Sequence, residues 1–116
     1  MQEKDKTYIL EGSYLFYNAP VVILIILPQF FYPTKLIDIG MAAQNLMLSA
    51  YGRGLGTCPI ALVLSFEDII REELEIPTDM RIVLTIALGY PDQDAEVNKF
   101  RSSRENLSEF ITWIGY

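Results

Sequence analysis

Seven apolar residues stand between two prolines in PVVILIILP, Pro20 to Pro28, and this run limits the fold more than any other segment. A membrane span needs about 20 consecutive apolar residues, and the prolines close the run long before that. The run is β-branched and continuous, so it predicts a strand over Val21 to Leu27 covered on both faces. RIVLTIAL, Arg81 to Leu88, has the same character and predicts a second buried strand.

The segments around these strands carry helix and turn signals. Met1 to Asn18 mixes charge with Tyr8, Tyr14, Phe16 and Tyr17 and allows a short helix. PQFFYP, Pro28 to Pro33, is a connection whose aromatics are expected to cover something. Thr34 is a fair N-cap for a helix from about Lys35 to Tyr51. That helix carries one stripe of Ile37, Met41, Gln44 and Leu48, with further apolar residues at Ile39, Ala42, Ala43, Leu46 and Ala50. A helix apolar on more than one stripe is buried on more than one side. Its small residues allow close backbone approach, so it reads as a central helix suited to a dimer interface. Gly52 and Gly54 end it, since glycine takes left-handed cap geometry cheaply. SFED opens a second helix, with Ser65 as cap and Asp68 three residues on; Ile76-Pro77 stops it near Glu75. GYPD, Gly89 to Asp92, is a turn. DQDAEVNK is a polar loop, and one helical turn is expected near Asn106 to Phe110.

The 116 residues suit one domain over 1–116. A chain of this size buries roughly 65% of its unfolded surface. Apolar residues make up 51%, which suggests that part of the apolar surface is covered by a partner chain. The net charge of −6 gives no general attraction for nucleic acid. The chain has no histidine, so Ser-His-Asp and Cys-His catalysis by this chain alone is excluded. One cysteine forms no internal disulfide, and a reducing cytoplasm is the natural compartment. MQEKDK carries both charge signs and no signal-peptide pattern follows it.

Four groups are candidates for chemistry. RGLGTCPIA, Arg53 to Ala61, has dinucleotide-like glycine spacing. A Rossmann loop, however, follows a strand and opens a helix, whereas these glycines follow a helix. The segment is either a helix-ending turn or a place where backbone approaches a flat ligand. Cys58 has no histidine to activate it and reads as a small packing residue. Lys99, Arg101 and Arg104 in NKFRSSR form either a phosphate site or a solvated basic loop. Glu67, Asp68, Glu72, Glu73 and Glu75 form a solvated helix face.

Taken together, YNAPVVILII, IDIGMAAQNLMLSAYGRGLGTCPI, RIVLTIALGYPD and NKFRSSRENLSEFITW closely resemble, in order and spacing, the C-terminal half of nitroreductase-family flavoproteins. The resemblance covers about Asn18 to Trp113. It implies an α+β fold, a sheet packed between helices, assembled as an intertwined homodimer. It further implies FMN at the dimer interface, reduced by NAD(P)H and reoxidised in ping-pong turnover by an acceptor such as a nitroaromatic or quinone. By the same resemblance, Pro59, Ile60, Ala61 and Leu62 pass along the flavin ring. A backbone N–H near Ala61 or Leu62 would donate towards flavin N5 or O4. Arg101 and Arg104, then Lys99, would reach the FMN phosphate. No metal and no catalytic side chain are implied.

The chain also departs from the family pattern. Family members run to roughly twice this length, carry an Arg-Arg-Ser-Ile-Arg-like segment near their start, and have an N-terminal block of helices that this chain lacks by the same resemblance. The first arginine here is Arg53. A fragment, a truncated gene product and a shortened relative all fit that departure. An alternative function is therefore a non-catalytic remnant that dimerises through the Lys35 to Tyr51 helix. A binding module for another flat ligand in the same cleft is a third reading.

Overall fold

The structure, a computed structural model, describes residues 10–115; Tyr8 of the expected first helix lies outside them. The order is β1 (Val21–Pro28), α1 (Leu36–Tyr51), β2 (Gly56–Ile60), α2 (Glu67–Glu73), β3 (Met80–Gly89) and α3 (Glu96–Lys99), with short 3-10 turns at Phe16–Asn18, Gln29–Phe31, Leu62–Phe66 and Leu107–Glu109. Helix precedes the first of these turns over 10–14.

Both expected strands form, and β3 is the centre of the sheet. The order is β1-β3-β2, with both neighbours antiparallel to β3. Val22 and Cys58 both face Ala87 in register, and Leu24 and Ile60 both face Thr85. Side chains alternate along a strand, so these six share one face. Ile60, Ala87 and Val63 of the 3-10 turn form a buried cluster there, with Phe16, Tyr17 and Ile70 packed against it. The opposite face carries Ile86, which is 0% exposed. α1 lies against β2, and the cover already on the first face leaves the second to α1.

β1 corrects one expectation. It is an edge strand rather than one covered on both faces, and Val21 and Ile26 are exposed. β2 follows the glycine-rich turn. It is a five-residue strand, and its Pro59 is tolerated because β2 is the other edge of the sheet.

α1 forms where its periodicity places it. Ala43 and Ala50 are buried on its inner stripe. The small side chains bring the helix axis close to its neighbours. The outer stripe of Ile37, Met41, Leu48 and Tyr51 is exposed, Ile37 at 75% and Tyr51 at 80%. Thr34 does not cap the helix. Its hydroxyl donates to Phe31 O at 2.8 Å and closes the preceding turn. Lys35 holds the N-cap position and pairs with Asp38 at 2.9 Å. Gly54, with φ +75°, makes the left-handed turn after the helix, while Gly52 remains right-handed.

Ser65 is likewise no cap, because it lies inside the 3-10 turn Leu62–Phe66. α2 begins instead at Glu67 and ends at Glu73, earlier than expected, before Glu75 at φ +52°. The Glu67 carboxylate accepts the Ile82 N–H at 3.1 Å and pairs with Arg71 at 2.7 Å. Arg71 in turn donates to Pro77 O at 2.6 Å. This clip ties α2 to β3. The connection aromatics cover less than expected: Phe30 is 89% exposed and stands edge-on to Phe31. Tyr32 takes the Arg81 guanidinium over its ring at 4.3 Å. Within the expected polar loop, α3 makes one turn. Among the described residues no helix is long and apolar enough to cross a membrane.

Candidate functional site

The glycine-rich turn delivers the chain from α1 into β2, and β2 runs directly into Ala61 and Leu62. Of the four ring-segment candidates, Pro59 and Ala61 are exposed, Leu62 is half-buried and Ile60 is buried in the core. Ile60 therefore offers its backbone and not its side chain. Thr85 donates its hydroxyl to Ile60 O at 2.6 Å. Leu64 N–H bonds Ala61 O at 3.0 Å. Leu62 stands first in its 3-10 turn, where backbone amides lack an intrahelical acceptor.

The three cationic candidates lie beyond β3 and are all exposed. Lys99 pairs with Glu96 at 2.6 Å. Arg101 donates to Asn98 O and Phe100 O at 2.9 and 3.0 Å. Arg104 donates to Ser103 O at 3.0 Å and to the Ser102 hydroxyl. Among the described residues neither arginine is ion-paired. Two guanidinium groups held only by neutral oxygens keep their charge available for an anion, whereas Lys99 is already partly neutralised.

A pocket of about 360 Å³ adjoins β2 and the turn after β3. Gly56, Thr57 and Cys58 of β2 form one wall, Gly89 to Asp92 another, Tyr17 and Asn18 a third, and Ala95, Val97 and Asn98 a fourth. None of the seven candidates lines it. Its walls nevertheless continue straight into them, Cys58 into Pro59 and Asn98 into Lys99. The walls are tightly set. A Cβ at Gly56 would stand 3.1 Å from Pro91, and one at Gly89 would stand 2.8 Å from Pro20.

Tyr17, Asn18, Thr57, Tyr90 and Asn98 were not singled out from the sequence. Four separate segments supply the walls, and no local spacing links them. One feature of the turn is unusual. Phe16, Tyr17 and Asn18 have φ of 49°, 52° and 55°, a left-handed run that non-glycine residues adopt only at a cost. Cys58 keeps the packing role read for it. It is half-buried, and desolvation raises its thiol pKa, which disfavours the thiolate. Among the described residues no group of carboxylates or thiols is arranged to hold a metal ion.

Comparison with known proteins is consistent with this arrangement. The model of the Nitroreductase family matches residues 2–90. A chloronitrobenzene nitroreductase of Comamonas testosteroni is 35% identical over 105 residues, which is 90% of this chain and 46% of that protein. Nitroreductase NfnB of Mycolicibacterium smegmatis is 36% identical over 110 residues, 91% of this chain and 47% of that one. The crystal structure of an FMN and NADPH-dependent nitroreductase NfnB from Sphigopyxis sp. strain HMH covers all of this chain with a TM-score of 0.87 at 28% identity, using 53% of its own length. The FMN-dependent NfnB of Mycobacterium smegmatis, solved in complex with NADPH, also gives 0.87, at 32% identity over 97% of this chain and 50% of its own. The chain spans about half the length of the relatives it matches. Matched in sequence over residues 2–90 and in fold along its whole length, it belongs to the nitroreductase family.

Proposed function

We propose that this chain is an FMN-dependent oxidoreductase of the nitroreductase family, passing electrons from NAD(P)H to nitroaromatic or quinone-like acceptors by ping-pong turnover. The carrying observation is the pocket whose walls run into both candidate segments. The residues present fit the cofactor's two ends. Pro59 to Leu62 offer backbone at an open sheet edge to a planar ring, and Arg101 and Arg104 offer unpaired charge to a phosphate. Asp92 lines the pocket, so its carboxylate disfavours an anion inside and leaves the phosphate to the rim. FMN when bound supplies the two-electron chemistry. The chain's residues supply binding, orientation and a backbone donor near Ala61 or Leu62 that favours negative charge on the ring. The lack of histidine is no obstacle to such an enzyme.

A homodimer is part of this reading. It is supported by the exposed stripe of α1 and by the segment after Lys99. There Phe100, Leu107, Phe110, Trp113 and Ile114 are all exposed, Ile114 at 88%. The radius of gyration is 17.2 Å, against about 13 Å for a compact chain of this length. An apolar arm reaching out from a small body fits a second copy. The same stripe also favours a second reading, a protein that dimerises without turnover. Anaerobic addition of NADPH to the FMN-loaded protein separates the two. Bleaching of the flavin, reversed by a nitroaromatic, supports the enzyme. Bound flavin that NADPH leaves oxidised supports the dimerising remnant.

A further inference from the structure

Thr85 is the largest fully buried polar side chain of the described core, at 0% exposed, on the central strand of the sheet. A buried hydroxyl needs a partner, and the partner here is the carbonyl of Ile60 at 2.6 Å. That bond stands where β2 leaves the sheet. The β2–β3 ladder ends at the Ile60–Thr85 pair, and Ala61 turns the chain at φ −97° and ψ −20° into the 3-10 turn.

The Ile60 carbonyl shares its peptide plane with the Ala61 N–H. Among the described residues the one cis peptide bond is Tyr32-Pro33, so this peptide is trans and its C=O and N–H point in opposite directions. Holding the carbonyl towards Thr85 on β3 turns the Ala61 N–H away from β3, to the open side of the edge strand. The next peptide is fixed separately, since Ala61 O accepts from Leu64 N–H at 3.0 Å. The direction of the Ala61 amide is therefore tied to a side chain on another strand. A valine at position 85 would fill nearly the same volume and lack the hydroxyl.

We infer that Thr85 is a positioning residue for the cofactor: its hydroxyl, acting through the Ile60–Ala61 peptide, aims the Ala61 N–H at the flavin ring. This rests on the FMN reading above and narrows its backbone donor to Ala61. Thr85 itself touches no cofactor. Its effect is on how well the amide is aligned, and most of all with a ring that carries negative charge.

The test compares wild type with Thr85→Val and Thr85→Ser by three readouts: FMN dissociation constant, midpoint potential of the bound flavin, and Tm of the FMN-free protein. Thr85→Val should weaken FMN binding about tenfold, the loss expected when an amide donor is misaimed. It should also move the potential about 30 mV more negative, the two-electron equivalent of a further tenfold. Thr85→Ser keeps the hydroxyl and should hold both values near wild type, even if loss of the methyl lowers Tm. A potential unchanged in Thr85→Val, with only Tm reduced, assigns Thr85 a purely structural role and overturns the inference. If Thr85→Val does not fold, Thr85→Ser decides: a wild-type potential supports the role, and a shifted one overturns it. Wild type that binds no FMN removes the FMN reading itself, and the positioning role falls with it.

Discussion

β3 and the segment after Lys99 are opposites within one small chain. β3 holds Thr85 and Ile86, the fully buried side chains of the core, and is bonded on both edges. Residues 100–115 include none that is buried. They nevertheless carry six large apolar side chains, five of them exposed, and two of the three candidate phosphate ligands. The strand is apolar because it is enclosed by its own chain. The arm is apolar and largely exposed, so its composition answers to something it meets. On the FMN reading, stability resides in the first region and recognition in the second. The molecule can thus lose function without losing its fold.

The largest expected effect breaks the core side of this contrast. Ile86→Ala should cost about 2–5 kcal/mol, the usual range for truncating a buried aliphatic side chain; denaturant unfolding measures it. Next comes the arm. The double variant Arg101→Ala with Arg104→Ala should weaken FMN binding by about 2–4 kcal/mol, each charge-assisted contact contributing roughly 1.5–3 kcal/mol. Its unfolding midpoint should not move, because both side chains are exposed. A lower midpoint in that variant would erase the division between the regions. Glu67→Ala sharpens the division from the core side. It strands the Ile82 N–H and releases Arg71, an expected loss of about 1–3 kcal/mol by thermal or chemical unfolding. The smallest effect belongs to the exposed Lys99–Glu96 pair. Glu96→Gln should change stability by less than about 0.5 kcal/mol, while freeing Lys99 and tightening FMN binding slightly in titration.

The same division explains what was legible in the sequence. β1, β3 and α1 announce themselves because their burial is periodic and local. The proline-bounded run has one reasonable fate, and the stripe of Ile37, Met41 and Leu48 marks a helix whatever it faces. β2 is not legible. Gly56, Thr57, Cys58 and Pro59 have little strand character of their own, and pairing with β3 makes them a strand. The start of α2 was misplaced for a similar reason. Ser65 has the right chemistry for a cap, but the helix start is anchored by Glu67 reaching Ile82, fifteen residues away. Lys99, Arg101 and Arg104 stand out as a basic cluster and Arg53 to Ala61 as a glycine-rich turn; family resemblance assigns Pro59 to Leu62 and the three cations to FMN. The pocket beside them draws its walls from four separate segments and could emerge only from the fold.

The central claim is that the exposed edge after β2 and Arg101 and Arg104 of the arm together hold FMN. A titration of the purified chain with FMN, followed through flavin fluorescence in wild type and in the double arginine variant, tests it most directly. The account predicts saturable binding by wild type and binding weakened about 30-fold or more in the variant, the equivalent of roughly 2 kcal/mol. Saturable binding of equal strength in both proteins would contradict it, as would a wild-type chain that leaves the flavin signal unchanged at every concentration.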